Sequence, residues 1–191
     1  LRRDLDSYSG RLGARYAPDP SSTLVGSFIF QRRNDTQTSF DDVSLAPVVI
    51  ENAFDTKTSS TTAEIQYLFR ASAVRLTLGA GHYETRFDDT SAISFTFNGA
   101  PVGQLPLGGK WNVKDTNAYM YSTIAVLPKV SLVLGASADS YKDEKSTALD
   151  TDQVNPKVGL IVQPAAGTTV RAAWFRNFKR QLANDQTIEP T

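Results

Sequence analysis

The 191-residue sequence contains no cysteine, one histidine (His82) and one methionine. Without cysteine there is no disulfide framework, no thiolate nucleophile and no Cys-based zinc or iron–sulfur site. A single imidazole leaves little scope for histidine ligation or acid–base chemistry. Net charge is missing as well: 20 Lys plus Arg balance 20 Asp plus Glu, so no global basic field exists to hold a nucleic-acid backbone. Nucleic acid is therefore not an expected partner, and neither a cofactor nor a metal site is expected. No G-x-S-x-G elbow, P-loop or dinucleotide fingerprint occurs. The longest charge-free stretch, residues 90–109, has the length of a membrane helix, but Asn98, Gly99, Pro101, Gly103, Pro106, Gly108 and Gly109 would break it. The opening LRRDLDSYSG has neither an initiator Met nor an apolar core before a cleavage site, so no export signal is expected in the chain.

At 40% apolar and 21% charged the chain is too apolar for disorder, and its dominant signal has period two. Eight runs bounded by turn residues read as strands: residues 5–17, 23–33, 61–71, 74–87, 117–127, 130–141, 155–163 and 168–176. A short stripe over residues 175–184 is the one helical candidate. In the third run Ala63, Ile65, Tyr67 and Phe69 share one face, with Glu64, Gln66 and Arg70 on the other. The fourth opposes Val74, Leu76, Leu78 and Ala80 to Arg75, Thr77, Gly79 and Gly81. The sixth opposes Val130, Leu132, Leu134, Ala136 and Ala138 to Ser131, Gly135, Ser137 and Asp139. Val158, Leu160 and Val162 oppose Lys157, Gly159 and Gln163, and Val170, Ala172 and Trp174 oppose Arg171 and Ala173. The second and fifth runs fit either assignment: Phe28 and Phe30 oppose Ile29, and Tyr119 and Tyr121 oppose Met120 and Ile124.

Short and long connections alternate. Residues 18–22, 70–73, 127–129 and 163–167 read as tight turns, whereas 34–60, 88–116 and 142–154 are rich in Asp, Asn, Thr and Ser, with Gly and Pro gathered in 88–116, and read as long loops. A soluble sheet has no reason to gather its long loops at one end; a transmembrane barrel does. Strands of roughly 9–14 residues suit a tilted bilayer crossing better than the usual soluble length of about 5–6. Tyr16, Tyr67, Phe69 and Trp174 fall towards strand ends, as an interfacial girdle needs. The sequence thus predicts an all-β fold, an antiparallel up-and-down transmembrane β-barrel segment of about eight strands with short turns on one side and long loops on the other. A soluble β-sandwich binding module, such as a carbohydrate-binding one, shares the alternation and is the alternative. Both termini fall on the long-loop side, and the polar stretch 181–191 carries no terminal aromatic. Residues 1–191 are therefore expected to be an internal part of one β-barrel domain, without a plug or signal peptide and closed by strands outside the chain.

The C-terminal quarter adds specific residues. The run from Val154 through Asn155, Pro156 and Lys157 to Pro164 is followed by Arg171-Ala172, Phe175-Arg176, and then Ile188-Glu189-Pro190. This order resembles the barrel of TonB-dependent outer-membrane receptors, including the variety that couples periplasmic tetratricopeptide repeats to such a barrel. The family's Phe-Arg-Ala-Pro step is here Phe175-Arg176-Asn177-Phe178, and neither a plug nor its energy-coupling box is present.

The resemblance implies solute binding and transport across the bacterial outer membrane, with no bond chemistry in this segment. It implies as partners the membrane lipid, the remaining strands of the barrel, a small solute, a plug domain and TonB. Arg11, Arg15, Glu64, Gln66, Arg75, Asp139, Lys157 and Arg171 are then the candidate lumen lining, able to hold a plug by hydrogen bonds or to line a water path. Asp35, Asp41, Asp42, Glu51 and Asp55 make residues 34–60 an acidic candidate ligand-binding loop. The enzymatic alternative is a rim hydrolase, with His82 and either Asp88-Asp89 or Asp41-Asp42 activating water. Register opposes it, because His82 shares parity with Val74, Leu76, Leu78 and Ala80.

Overall fold

The computed structural model describes residues 2–43, 48–146 and 149–177; the side chains of 41–43 lie outside that description. Ten strands form one antiparallel sheet: β1 (Arg2–Asp19), β2 (Ser22–Val43), β3 (Val48–Arg70), β4 (Val74–Asp89), β5 (Ala92–Phe97), β6 (Ala100–Pro106), β7 (Gly109–Leu127), β8 (Val130–Asp143), β9 (Thr151–Ala165) and β10 (Thr168–Phe175). The path β1-β2-β3-β4-β7-β8-β9-β10 supplies the eight up-and-down strands that the alternation predicts, while β5 and β6 branch from β3. The described residues form one continuous sheet whose apolar face is exposed. A β-sandwich instead buries its apolar faces against each other over a dry core, so this sheet differs from the soluble alternative.

The expected long loops are mostly strand. The β2–β3 ladder continues without a break from Asn34↔Lys57 to Val43↔Val48, through what reads as an acidic loop. β7 starts at Gly109, and β8 and β9 trim the third link from both ends. Apolar alternation marks a strand only where one of its faces meets an apolar phase. Here Thr36, Gln37, Thr38, Thr56 and Thr58 alternate polar with polar, so the periodic signal vanishes although β-branched threonine still favours extended backbone. The helical candidate fails at its start, since Phe175 ends β10; residues 178–184 lie outside the described set.

β4 ends at Asp89, opposite Thr56, and β5 takes over as partner of Val48 to Ala53 on the same edge of β3. Thr90 N donates to Asp55 O at 2.9 Å across the junction. β5 and β6 meet at Asn98-Gly99, with φ of 49° and 78°, the pair of positive values that a two-residue type I′ hairpin turn needs. β6 has β5 as its one partner, and Pro101 and Pro106 remove donors from its ladder.

Burial is inverted relative to a water-soluble sheet. Gln66, Thr85, Asp115, Asp139 and Asn155 are buried, whereas Leu12, Tyr16 and Trp174 are 72%, 66% and 66% exposed. Cross-strand register places all five buried polar residues on one face. The other face carries Leu24, Phe28, Ile65, Leu78, Met120, Leu134, Val158 and Leu160, all exposed. The two undecided strands now have sides: Phe28 and Phe30 join the apolar face with Met120 and Ile124, and Ile29, Tyr119 and Tyr121 join the sheltered one. Among the described residues β1 and β10 bound the sheet and are not paired with each other.

Candidate functional site: the sheltered polar face

All eight candidate lining residues lie on the sheltered face. Register aligns Arg15 with Val25, Gln66, Gly79, Tyr119, Ser137 and Asn155 in one row. Glu64 lies in the next row, with Gly81, Asn117 and Asp139. Tyr119 leaves its own strand, β7, and crosses β4 to reach β3. Its hydroxyl is 2.6 Å from Glu64 Oε1 and receives Gln66 Nε2 at 2.7 Å. Gly79 makes this crossing feasible, because a Cβ there would run into the tyrosine ring. Tyr121 leans the opposite way, over Gly135 of β8, and Lys157 Nζ of β9 stands 5.5 Å from its ring centroid. Asn155 Nδ2 donates to Asp139 Oδ2 at 2.7 Å, and Ser137 Oγ joins the same carboxylate at 3.1 Å. Asp139, Glu64 and Gln66 are thus held in hydrogen-bonded groups, as buried polar atoms require.

Arg75 and Lys157 meet in a cavity of about 700 Å3 near the short turns, with Arg70 and Arg176 as further cations and no carboxylate among the described residues of its lining. Arg11, Arg15 and Arg171 are exposed on the edge strands β1 and β10. They do not line that cavity.

A second group sits at the far end of the same face and carries no motif in the sequence. Phe87 and Trp111 are direct cross-strand partners whose rings stack at 4.9 Å and 9°. Lys145 Nζ lies 3.9 Å from the Trp111 centroid. Beside Phe87, a cavity of about 300 Å3 is lined by Gln31, Arg33, Asp35 and Ser60. Asp35 binds Arg3 Nη2 at 2.6 Å and Arg33 Nη2 at 2.8 Å. The Arg3 guanidinium, seconded by Arg33, holds the Asp35 carboxyl down to about 2 from its ordinary 3.8. The only sequence signal for this group is that Phe87 and Trp111 flank a turn-rich segment.

The five acidic candidates are in strands rather than a loop, and Asp35, Glu51 and Asp55 do not converge. Asp35 is on the sheltered face in β2, neutralised by its two arginines. Glu51 and Asp55 are in β3 with the parity of the apolar face, opposite Phe40 and Thr36. Asp41 and Asp42 pair through backbone with Ile50 and Val49, and their side chains lie outside the described ones. His82 Nδ1 bonds Thr116 Oγ1 at 2.8 Å on the apolar face, away from the sheltered network. Among the described residues, no three His, Asp or Glu side chains are placed to hold a metal ion, and no helix is long and apolar enough to cross a membrane, which says nothing of a barrel that crosses with strands.

Comparison with known proteins agrees with this geometry. BauA, the ferric preacinetobactin receptor from Acinetobacter baumannii, superposes with a TM-score of 0.60 over 90% of this chain and 30% of its own, at 14% identity. The ferric citrate transporter FecA, unliganded, gives 0.55 over 91% of this chain and 27% of its own, at 10% identity. FpvAI, from its complex with pyocin S2, gives 0.51 over 90% and 35%, at 14% identity. The chain thus spans about a third of the length of these structures and shares their fold. No curated protein sequence matches it. The family model described as "TonB dependent receptor-like, beta-barrel" matches residues 1–189. Its members are receptors and transporters of the outer membrane rather than enzymes, and the chain belongs to this family of TonB-dependent receptor-like β-barrels.

Proposed function

We propose that these strands form part of the wall of an outer-membrane receptor barrel that binds a small solute and passes it inward in a TonB-dependent manner. The carrying observation is the inverted burial: a hydrogen-bonded polar face shelters Gln66, Asp115 and Asp139, and the opposite face exposes a continuous apolar band. Acyl chains solvate that band, and the polar face encloses an aqueous bore. Further strands and a plug domain complete the barrel beyond this chain. The cavity of Arg70, Arg75, Lys157 and Arg176 then faces the inner part of the bore, and Phe87, Trp111 and Lys145 face its outer mouth. The names of two structural neighbours, a ferric preacinetobactin receptor and a ferric citrate transporter, support a chelated ferric ion as solute.

Uptake of radioactive iron, offered as a panel of ferric chelates to cells with and without the intact protein, tests this. At least one chelate is expected to enter only when the protein is present and the inner membrane is energised. Identical uptake of the whole panel in both strains would overturn the proposal.

A further inference from the structure

Near the short turns the sheltered face carries charge of one sign. Arg70 and Arg75 stand directly opposite each other across the β3–β4 ladder, and like charges so placed repel and destabilise a sheet. Lys157 of β9 is paired with Phe175, and Arg176 follows, its N donating to Pro156 O at 3.0 Å. These four cations border the cavity of about 700 Å3, whose outer rim is Ser137 and Asn155. None of the four enters an ion pair among the described residues. Arg70, Arg75 and Arg176 are exposed and Lys157 is half-buried, so solvent reaches the cluster.

The carboxylates of the same face lie further out and are engaged. Glu64, tied to Tyr119, is three cross-strand rows beyond Arg70, about 20 Å along the strand. Asp139 is two rows beyond Lys157, about 13 Å. Charges in an aqueous bore are screened over about 8 Å at 0.15 M salt. Asp139 leans on the rim through Asn155 and Ser137, one negative charge against four positive ones. Asp19, beside the β1–β2 turn, accepts from Ser21 N at 2.7 Å. The repulsion between Arg70 and Arg75 is therefore not relieved among the described residues.

We propose that this cavity binds a small soluble polyanion, a solute with two or more carboxylate or phosphate groups held apart. Arg70 and Arg75 take one group, and Lys157 with Arg176 takes another. β4 and β9 are three strands apart in the sheet, about 14 Å across, which sets the span of the solute. Thr77 and Thr123 form a neutral floor between the two ends. Guanidinium groups clamp an oxyanion in a bidentate fork, and the ammonium adds a point charge. A bound polyanion relieves the repulsion at both ends; a neutral solute relieves none. The inference rests on the reading that the sheltered face encloses the bore, and it names the charge class of the solute that passes.

Calorimetric titration of the intact protein in detergent at about 0.15 M salt tests the site, with tricarballylate, pyrophosphate and acetate as probes. At least one of the two polyanions is expected to bind about tenfold or more tighter than acetate, and which one does so separates carboxylate from phosphate recognition. The double substitution Arg75→Gln and Lys157→Gln is expected to abolish the preference. Lys129→Gln, in a neighbouring turn outside the cavity, is expected to keep it. Removing one of two opposed arginines should leave the urea midpoint of Arg75→Gln unchanged or raise it. Equal binding of all three probes, or an unchanged preference in the double variant, would overturn the polyanion site. A lowered urea midpoint for Arg75→Gln would do the same, because the cation would then already be neutralised within the protein. Iron uptake reads the receptor function separately, so a protein that imports a chelate without preferring either polyanion fails this inference alone.

Discussion

The Tyr119 hydroxyl lies 2.6 Å from Glu64 Oε1, although β7 and β3 are separated by β4. Gly79 is the gap through which the ring passes. Gly79→Val is expected to displace the ring and to destabilise the barrel by about 1–3 kcal/mol. In a Tyr119→Ala background the same substitution should be close to neutral. Urea unfolding of the full barrel in micelles measures both, and equal costs in the two backgrounds would refute the crossing.

Leu78 is exposed on the apolar face and Thr77 on the sheltered one. Leu78→Arg is expected to cost about 2–4 kcal/mol when the barrel folds into vesicles, and Thr77→Arg much less. Reversed costs would exchange the two faces.

Asp35 has a folded pKa of about 2 against an ordinary 3.8. A depressed carboxyl contributes stability that is fully present above the ordinary value and is lost as pH falls through the folded one. The outer end of the β1–β2 ladder should therefore hold above about pH 4 and loosen towards pH 2. Arg3→Gln should bring the Asp35 titration back up, which an NMR titration of the carboxyl would show; an unchanged midpoint would dismiss the Arg3 contact.

Trp111 stacks on Phe87 and lies under Lys145, at what the proposed function makes the outer mouth. Trp111→Ala is expected to weaken binding of the imported chelate about tenfold, roughly 1.4 kcal/mol, while gel migration of the folded barrel stays unchanged. Calorimetric titration provides the comparison, and wild-type affinity would remove this ring from the site.

The eight-strand path was legible because the apolar band imposes alternation on Ile65, Leu78, Leu132 and their neighbours. The outer halves of β2 and β3 were not, because Thr36, Thr38 and Thr58 lie where neither face needs to be apolar; β5 alternates Ile93, Phe95 and Phe97 with Ser94 and Thr96, but it is short and sits in a Gly- and Pro-rich segment that reads as a loop. Tyr119 and Tyr121 were ambiguous for another reason: an aromatic side chain suits either a lipid-facing girdle or a glycine-bedded position inside, and only cross-strand register separates the two. Glu64 and Gln66 could be placed on a face from parity, but their tie to Tyr119 depends on two strands distant in sequence. The pairing of Phe87 with Trp111 needed the register across the turn-rich segment that holds β5 and β6.

Past the apolar band, the ribbon of β2 and β3 is held by its backbone ladder out to Val43 and Val48. Main-chain bonding does not depend on which side chains are attached. In the receptor proposed above, exchange of residues along this rim would alter what is recognised at the entrance while leaving the energetics of insertion lower down untouched, so one scaffold could be redirected to new cargo by surface drift alone.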